Sequence, residues 1–182
     1  MKYLLINQET ERLLFRKLEI NDFDFWQELF FDENTKKMLG MQDFKTPKEC
    51  CEKWFEWTFH RYENNLGGQN ILIEKSTGKI IGQAGLLVRE VNGIQELEIA
   101  YSILPKHRRN GFALEAAKKC KDFAFENNFH EKLISMIIPE NINSKKTADK
   151  NGLKFKTQII FHDQSFDIHE ITKEIWRNTN SI

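Results

Sequence analysis

The chain has 182 residues, 30% of them charged and 40% in the apolar set, a balance far from disordered or fibrous chains and sufficient for one hydrophobic core. Lysine plus arginine number 27 and aspartate plus glutamate 27, so no net field draws the molecule to nucleic acid or to an acidic membrane surface; any anion must be bound locally. The apolar stretch Tyr3 to Ile6 is too short for a signal peptide or a membrane span, and Cys50, Cys51 and Cys120 lack metal-ligand spacing, which predicts a cytoplasmic protein with buried structural thiols and no metal.

In chain order, Arg12 to Leu18 reads as a strand, Asn21 to Phe31 as a helix opened by a capping residue, and Thr46 to Tyr62 as a longer helix. The long helix has Thr46 to cap it, Pro47 at its first position and Glu49 three residues after Thr46, the spacing of a capping box. Its aromatics Trp54, Phe55, Trp57, Phe59 and Tyr62 are expected in the core, with a groove wall as the rival placement for some of them. After a loop at Asn64 to Gly68, Asn70 to Lys75 and Lys79 to Arg89 form a hairpin around Ser76-Thr77-Gly78. Asn92-Gly93 marks another reversal. Gln95 to Leu104 then alternates Leu97, Ile99, Tyr101 and Ile103 on one face with Glu96, Glu98, Ala100 and Ser102 on the other, and Pro105 stops it.

From Gly111 to Glu126 the spacing of Phe112, Ala116, Cys120 and Phe123 is that of an amphipathic helix packed on a sheet. Lys132 to Ile138 is a buried-type strand, and Asn141 to Asn151 is a short helix stopped by Gly152. Lys154 to Phe161 and Ile168 to Trp176 are two more strands. No repeat or linker interrupts residues 1–182, so a single α/β (α+β) domain is expected: one mixed sheet, a βαβ crossover in its middle and helices on both faces.

The most informative stretch is Tyr101 to Ala113: a strand, a basic turn, then a glycine at the head of a helix. The first amides of a helix have no intrahelical partner and carry about half a positive charge between them, so a phosphate placed there gains several N–H contacts. Gly111 removes the side chain that would block its approach. Lys106, His107, Arg108 and Arg109 supply charge around the same point, and Asn110 is a candidate N-cap. Neither a Walker loop nor the G-x-G-x-x-G dinucleotide fingerprint is present.

Arg108-Arg109-Asn110-Gly111-Phe112-Ala113 resembles the Q/R-x-x-G-x-G/A signature of the GNAT acetyltransferases, whose amides hold the coenzyme A pyrophosphate. Thr10 to Leu18, Gly82 to Gly85, Glu98 to Tyr101 and Asn141 to Phe155 are similar to the branch of ribosomal-protein N-terminal acetyltransferases, the RimJ/RimL type, so the likeness runs from Thr10 to Trp176. That branch usually has Gly at Ala100 and Phe at Leu153, and Ala148 stands where many relatives carry a tyrosine acid. The resemblance implies an acetyl-CoA-dependent N-acetyltransferase, monomer or homodimer, without nucleic-acid or membrane partners. Ile103, Leu104, Arg108, Arg109, Asn110, Gly111, Phe112, Ala113 and Asn141 would bind the coenzyme, with the Leu104 amide donating to the oxyanion and Ser144 as general acid.

Glu98 is the first candidate for general base and Glu96, on the same strand face, the second; a cross-strand salt bridge explains either without catalysis. Gln83, Trp54 and Trp57 are candidate groove residues. An α-amino acceptor, with a pKa of about 7.7–8.0, is partly neutral at pH 7 whereas lysine, near about 10.4, is not, which favours peptide N-termini or small-molecule amines. A second reading is a non-catalytic acyl-CoA-binding sensor or interaction module.

Overall fold

The computed structural model describes residues 2–180, with the side chain of Asn180 outside that description. Seven strands form one sheet in the order β1-β2-β3-β4-β5-β7-β6. They are β1 (Leu13–Arg16), β2 (Gly67–Glu74), β3 (Lys79–Val91), β4 (Ile94–Ile103), β5 (Lys132–Ile137), β6 (Lys154–Phe161) and β7 (Gln164–Thr172). All neighbours run antiparallel except β4 and β5, which are parallel and register only at Glu98 and Ile134. The expected mixed sheet with a central βαβ crossover is therefore present; helix α4 (Phe112–Glu126) makes that crossover.

Two cores cover the two faces. On one, α4 sets Phe112, Ala116, Ala117, Cys120, Ala124 and Phe125 against Leu97, Ile99 and Ile103 of β4. The three alanines of that stripe let the helix backbone lie close to the sheet, and burying the two phenylalanines contributes roughly 1.5–3 kcal/mol each. On the other face, α3 (Pro47–Glu63) packs Cys50, Cys51, Phe55 and Tyr62 beside Trp26, Leu29, Phe30 and Ile71. Its start is the expected capping box: Thr46 Oγ1 accepts from the Glu49 amide at 3.1 Å, and Glu49 Oε2 accepts from the Thr46 amide at 3.2 Å.

The three thiols are buried and unpaired. Burial pushes the Cys51 thiol up to about 12 and Cys120 higher still, so neither forms thiolate at neutral pH. A thiol-reactive dye should label the native protein negligibly and all three cysteines once it is unfolded in guanidinium; rapid labelling of any of them in the native state contradicts this packing.

Three elements differ from the expectation. Asn21 to Phe31 is a 3-10 turn (Ile20–Asp22), one turn of helix α1 (Phe23–Trp26) and a second 3-10 stretch (Gln27–Phe31). The cap is Glu19 rather than Asn21, because the Asp22 carboxylate accepts from the Glu19 amide while it also holds Arg16 at 2.6 and 2.7 Å. A short helix α2 (Glu33–Met38), capped by Asp32, follows where none is expected. The last strand ends at Thr172 and the chain turns into α6 (Lys173–Asn180), because Trp176 must coil back to reach α4, where its ring lies 5.4 Å from Phe125 and its Nε1 donates to Asp122 at 2.8 Å.

Candidate functional site

The single registered pair between β4 and β5 is the structural origin of the site. Beyond Glu98 and Ile134 the two parallel strands no longer pair, and a cleft of about 840 Å³ opens there. On the antiparallel side of β4, Leu104 donates its amide to the Ile81 carbonyl at 3.0 Å, so the alternation of the ladder turns the backbone groups of Tyr101 and Ile103 toward the gap. This corrects the expectation for Leu104: its amide is taken by β3 and its side chain is fully buried in the α3 core.

The cleft has two walls because it passes through the sheet. One carries Trp57, Arg61, Gln69, Arg89 and Glu98; the other carries Tyr101, Asn141 and Ser144. On the first wall Glu98 is 5% exposed, and its Oε2 receives Arg89 Nε at 2.7 Å, which leaves Oε1 to the cleft. Glu96 behaves differently. Its Oε1 lies 2.6 Å from Lys132 Nζ, a contact that raises the lysine pKa, and it is not among the lining residues. The aromatics of α3 divide between the two placements considered: Phe55 and Tyr62 are core, whereas Trp57 is exposed at the cleft. Trp54, half-buried, also reaches the cleft and donates Nε1 to buried Gln83 at 3.0 Å.

On the second wall, helix α5 (Ile142–Lys150) begins with Asn141 as its cap, whose Oδ1 accepts from the Ser144 amide at 3.1 Å. That bond points Ser144 Oγ back toward β4, where it lies 3.0 Å from the Tyr101 hydroxyl. Burial raises the Tyr101 pKa, so the phenol keeps its proton; the hydroxyl donates to the Ser144 carbonyl at 3.1 Å, and either hydroxyl can donate to the other. The sequence places Tyr101 on an apolar strand face; its pairing with a serine 43 residues away leaves no trace there.

The basic turn lies at the end of β4. Gly111 has φ +82° and is the N-cap of α4, and the first intrahelical bond runs from the Glu115 amide to the Gly111 carbonyl at 3.1 Å. The amides of Phe112, Ala113 and Leu114 thus lack intrahelical acceptors, which is the cradle a pyrophosphate needs. Asn110 is not the cap: its Nδ2 donates to the carbonyls of His107 and Arg108 and closes the turn behind Gly111.

The expected cluster of four basic residues does not converge. Arg108 braces the turn, donating to the Ile103 carbonyl at 2.9 Å and to Thr35 Oγ1 at 2.6 Å and pairing with Asp32. Lys106 pairs with Glu28 at 2.7 Å. Arg109, exposed and with φ 67°, is left facing outward. A residue overlooked in the sequence supplies the missing support. Arg12 holds Glu115 through Nε at 2.6 Å, donates to the Asn110 carbonyl at 3.0 Å and stacks 4.6 Å from the centre of the Phe112 ring. No sequence signal singles it out, because Arg12 and Glu115 are 103 residues apart.

The arrangement fits an extended ligand with a diphosphate at one end and a reactive group at the other: the diphosphate on the α4 amides, the chain along the gap edge of β4, the reacting carbon between Glu98 and Ser144. Among the described residues, no group of three or more His, Cys, Asp or Glu is placed to hold a metal ion, and no helix is long and apolar enough to cross a membrane.

Comparison with known proteins agrees. Residues 12–154 match the family model described as an acetyltransferase (GNAT) domain. The chain is 28% identical over 164 residues to the uncharacterized protein YkkB of Bacillus subtilis, covering 88% of this chain and 92% of that one. Among solved structures, spermidine N-acetyltransferase from Vibrio cholerae, in complex with CoA and spermine, superposes with a TM-score of 0.71 at 17% identity, covering 90% or more of both chains (91% and 98%). RimL, a ribosomal-protein α-N acetyltransferase in complex with coenzyme A, does so with a TM-score of 0.71 at 9% identity, covering 92% and 97%. At these identities the structural likenesses speak for the fold alone.

Proposed function

This chain belongs to the GNAT acetyltransferase family and is an acetyl-CoA-dependent acyltransferase acting on amines, and from that premise we propose that its acceptor is a protein N-terminal α-amino group or a small-molecule amine. The observation that carries the reading is the cleft between β4 and β5, with a carboxylate on one wall and a hydrogen-bonded hydroxyl pair on the other. When bound, acetyl-CoA supplies a thioester carbonyl open to attack by a neutral amine.

In this reading residues 1–182 are one catalytic domain working in the cytoplasm. Phe112 and Ala113 donate their amides to the pyrophosphate, Gly111 allows its approach, and Arg12 and Arg108 hold the turn in shape. Arg109, on the exposed side, adds its charge where the nucleotide end would lie. Asn141, with Oδ1 committed to its helix, has Nδ2 for the coenzyme. The Ile103 amide, turned to the gap, replaces that of Leu104 as the backbone donor beside the carbonyl oxygen. Glu98 takes the proton of the incoming ammonium through Oε1, directly or through water, and Arg89 keeps that carboxylate oriented. Ser144 gives a proton to the leaving sulfur and regains one from the second proton that the attacking nitrogen sheds as the amide forms, while the Tyr101 hydroxyl stays hydrogen-bonded to its Oγ; a thiol with a pKa near about 8.5 needs only modest help to leave.

The RimJ/RimL branch is supported by the Asn141 and Ser144 geometry. Its test is acetyl-CoA turnover on a panel of peptides with free N-termini, polyamines and aminoglycosides, with products read by mass spectrometry. Acetylation of an α-amino group or small amine is the expected result. Tight coenzyme binding with no product on the whole panel would instead favour an acyl-CoA-binding sensor.

A further inference from the structure

Arg61 is a half-buried cation that forms no salt bridge among the described residues. It lies on the cleft side of α3 and donates Nη1 to the carbonyls of Leu66 at 3.2 Å and Val88 at 3.0 Å; among the described residues no carboxylate pairs with it. Burial, and then the like charge of Arg89, pull its pKa down to about 10, opposed by Glu98. These three side chains therefore share one electrostatic neighbourhood holding two cations and one anion. These three carry one net positive charge, since Glu96, opposite Arg89 in the ladder, is paired with Lys132 at 2.6 Å; the other carboxylate of the cleft lining, Asp43, is exposed.

The two carbonyl dipoles satisfy Nη1 but leave the rest of this half-buried guanidinium uncompensated. The donors that remain show what would complete the site. Arg89 gives Glu98 its Nε alone and Arg61 gives its carbonyls Nη1 alone. Both Nη groups of Arg89, and Nε and Nη2 of Arg61, are without an acceptor among the described residues, and planar guanidinium forks match a carboxylate in geometry and charge. One net positive charge beside Glu98 suits a singly charged anion rather than a phosphate dianion. On the same wall, Gln69 Oε1 is buried without a hydrogen-bond partner, an acceptor placed for an ammonium.

We infer that Arg61 and the Nη groups of Arg89 bind the carboxylate of an acceptor carrying amine and carboxylate on one molecule, so that this enzyme acetylates zwitterionic or acidic amines and discriminates against polyamines. The inference rests on the reading of the Glu98 wall as the acceptor side. A polyamine has no anion to offer and brings further positive charge to a neighbourhood already positive, whereas a carboxylate neutralises it as the amine comes to Glu98.

Two matched pairs test this on the full-length protein with acetyl-CoA, following thiol release: glycylglycine against glycylglycinamide, and two C-terminally amidated peptides that differ only in Asp or Asn at the first position. Spermidine is the fifth acceptor. The charged member of at least one pair should have kcat/KM about tenfold or more above its neutral partner, with spermidine the poorest of the five. Preference within the dipeptide pair identifies a main-chain carboxylate, and preference within the peptide pair an acidic first residue. Arg61→Gln should raise KM for the preferred acceptor about thirty-fold while leaving KM for its neutral partner and for acetyl-CoA unchanged, and Arg61→Lys should restore part of the loss. A purely structural Arg61 would shift both members alike. The wild-type comparisons need no variant, so the test survives a misfolded substitution. Equal rates within both pairs, or spermidine as the best acceptor, overturn the inference and leave the acetyltransferase reading standing; no thiol release with any of the five overturns both.

Discussion

Gly111→Val should weaken coenzyme A binding by about a hundred-fold or more while lowering the melting temperature by only a few degrees. The two effects separate because they have different origins. The stability loss is backbone strain: a residue at φ +82° is at ease only as glycine, and a side chain there costs about 1–2 kcal/mol. The binding loss is steric and electrostatic. A Cβ at Gly111 would sit 3.4 Å from Arg12 Nη2, so the branched valine either displaces Arg12 from Glu115 and Asn110 or stands over the amides of Phe112 and Ala113. Each charge-assisted hydrogen bond lost to a phosphate is worth about 1.5–3 kcal/mol, and losing two accounts for the hundred-fold. Calorimetric titration with coenzyme A, alongside thermal melts, measures both quantities. A dissociation constant within a few-fold of the unmodified protein would remove the helix α4 amides from the binding site.

Glu98→Gln should lower kcat/KM by about a hundred-fold to ten-thousand-fold, the range by which a positioned general base accelerates proton transfer, without changing the affinity for coenzyme A. The substitution is nearly isosteric. A glutamine oxygen can still accept from Arg89 Nε at the 2.7 Å position, so the loss reports the missing proton acceptor rather than a collapsed wall. Comparison of the loss in kcat/KM with the folded fraction distinguishes catalysis from packing. A merely structural Glu98 would lower activity only in proportion to the folded fraction, an outcome that would move the base elsewhere. Glu96 is a poor second choice, because Lys132 holds it outside the cleft.

Strand alternation in β4, the amphipathic stripe of α4 and the Thr46 capping box are all legible in the sequence, since each depends on residues within a few positions of one another. The segment after Asn21 and the end of β7 depart from the sequence-based expectation because side-chain pairings override the local pattern. Asp22 is claimed by Arg16, six residues earlier in β1, and Trp176 is drawn to Asp122 and Phe125 of α4, more than fifty residues away. The same division runs through the site. Gly111 stands out by its place between a strand and a helix. Arg108, in the same motif, is a brace because Asp32 and Thr35, more than seventy residues away, take its guanidinium.

What the linear chain determined by itself, then, is the fold, because periodicity and caps act through local backbone geometry, and the family, through the motif from Arg108 to Ala113 that it resembles. The chemistry of the cleft was decided only by the tertiary structure. Tyr101 with Ser144, Arg12 with Glu115 and Arg61 beside Arg89 and Glu98 are pairings between residues distant in sequence or facing across strands. Hydrogen bonds act over about 3 Å and screened charges over about 10 Å, so no spacing along the chain encodes these pairings until the sheet has folded and its two parallel strands have parted.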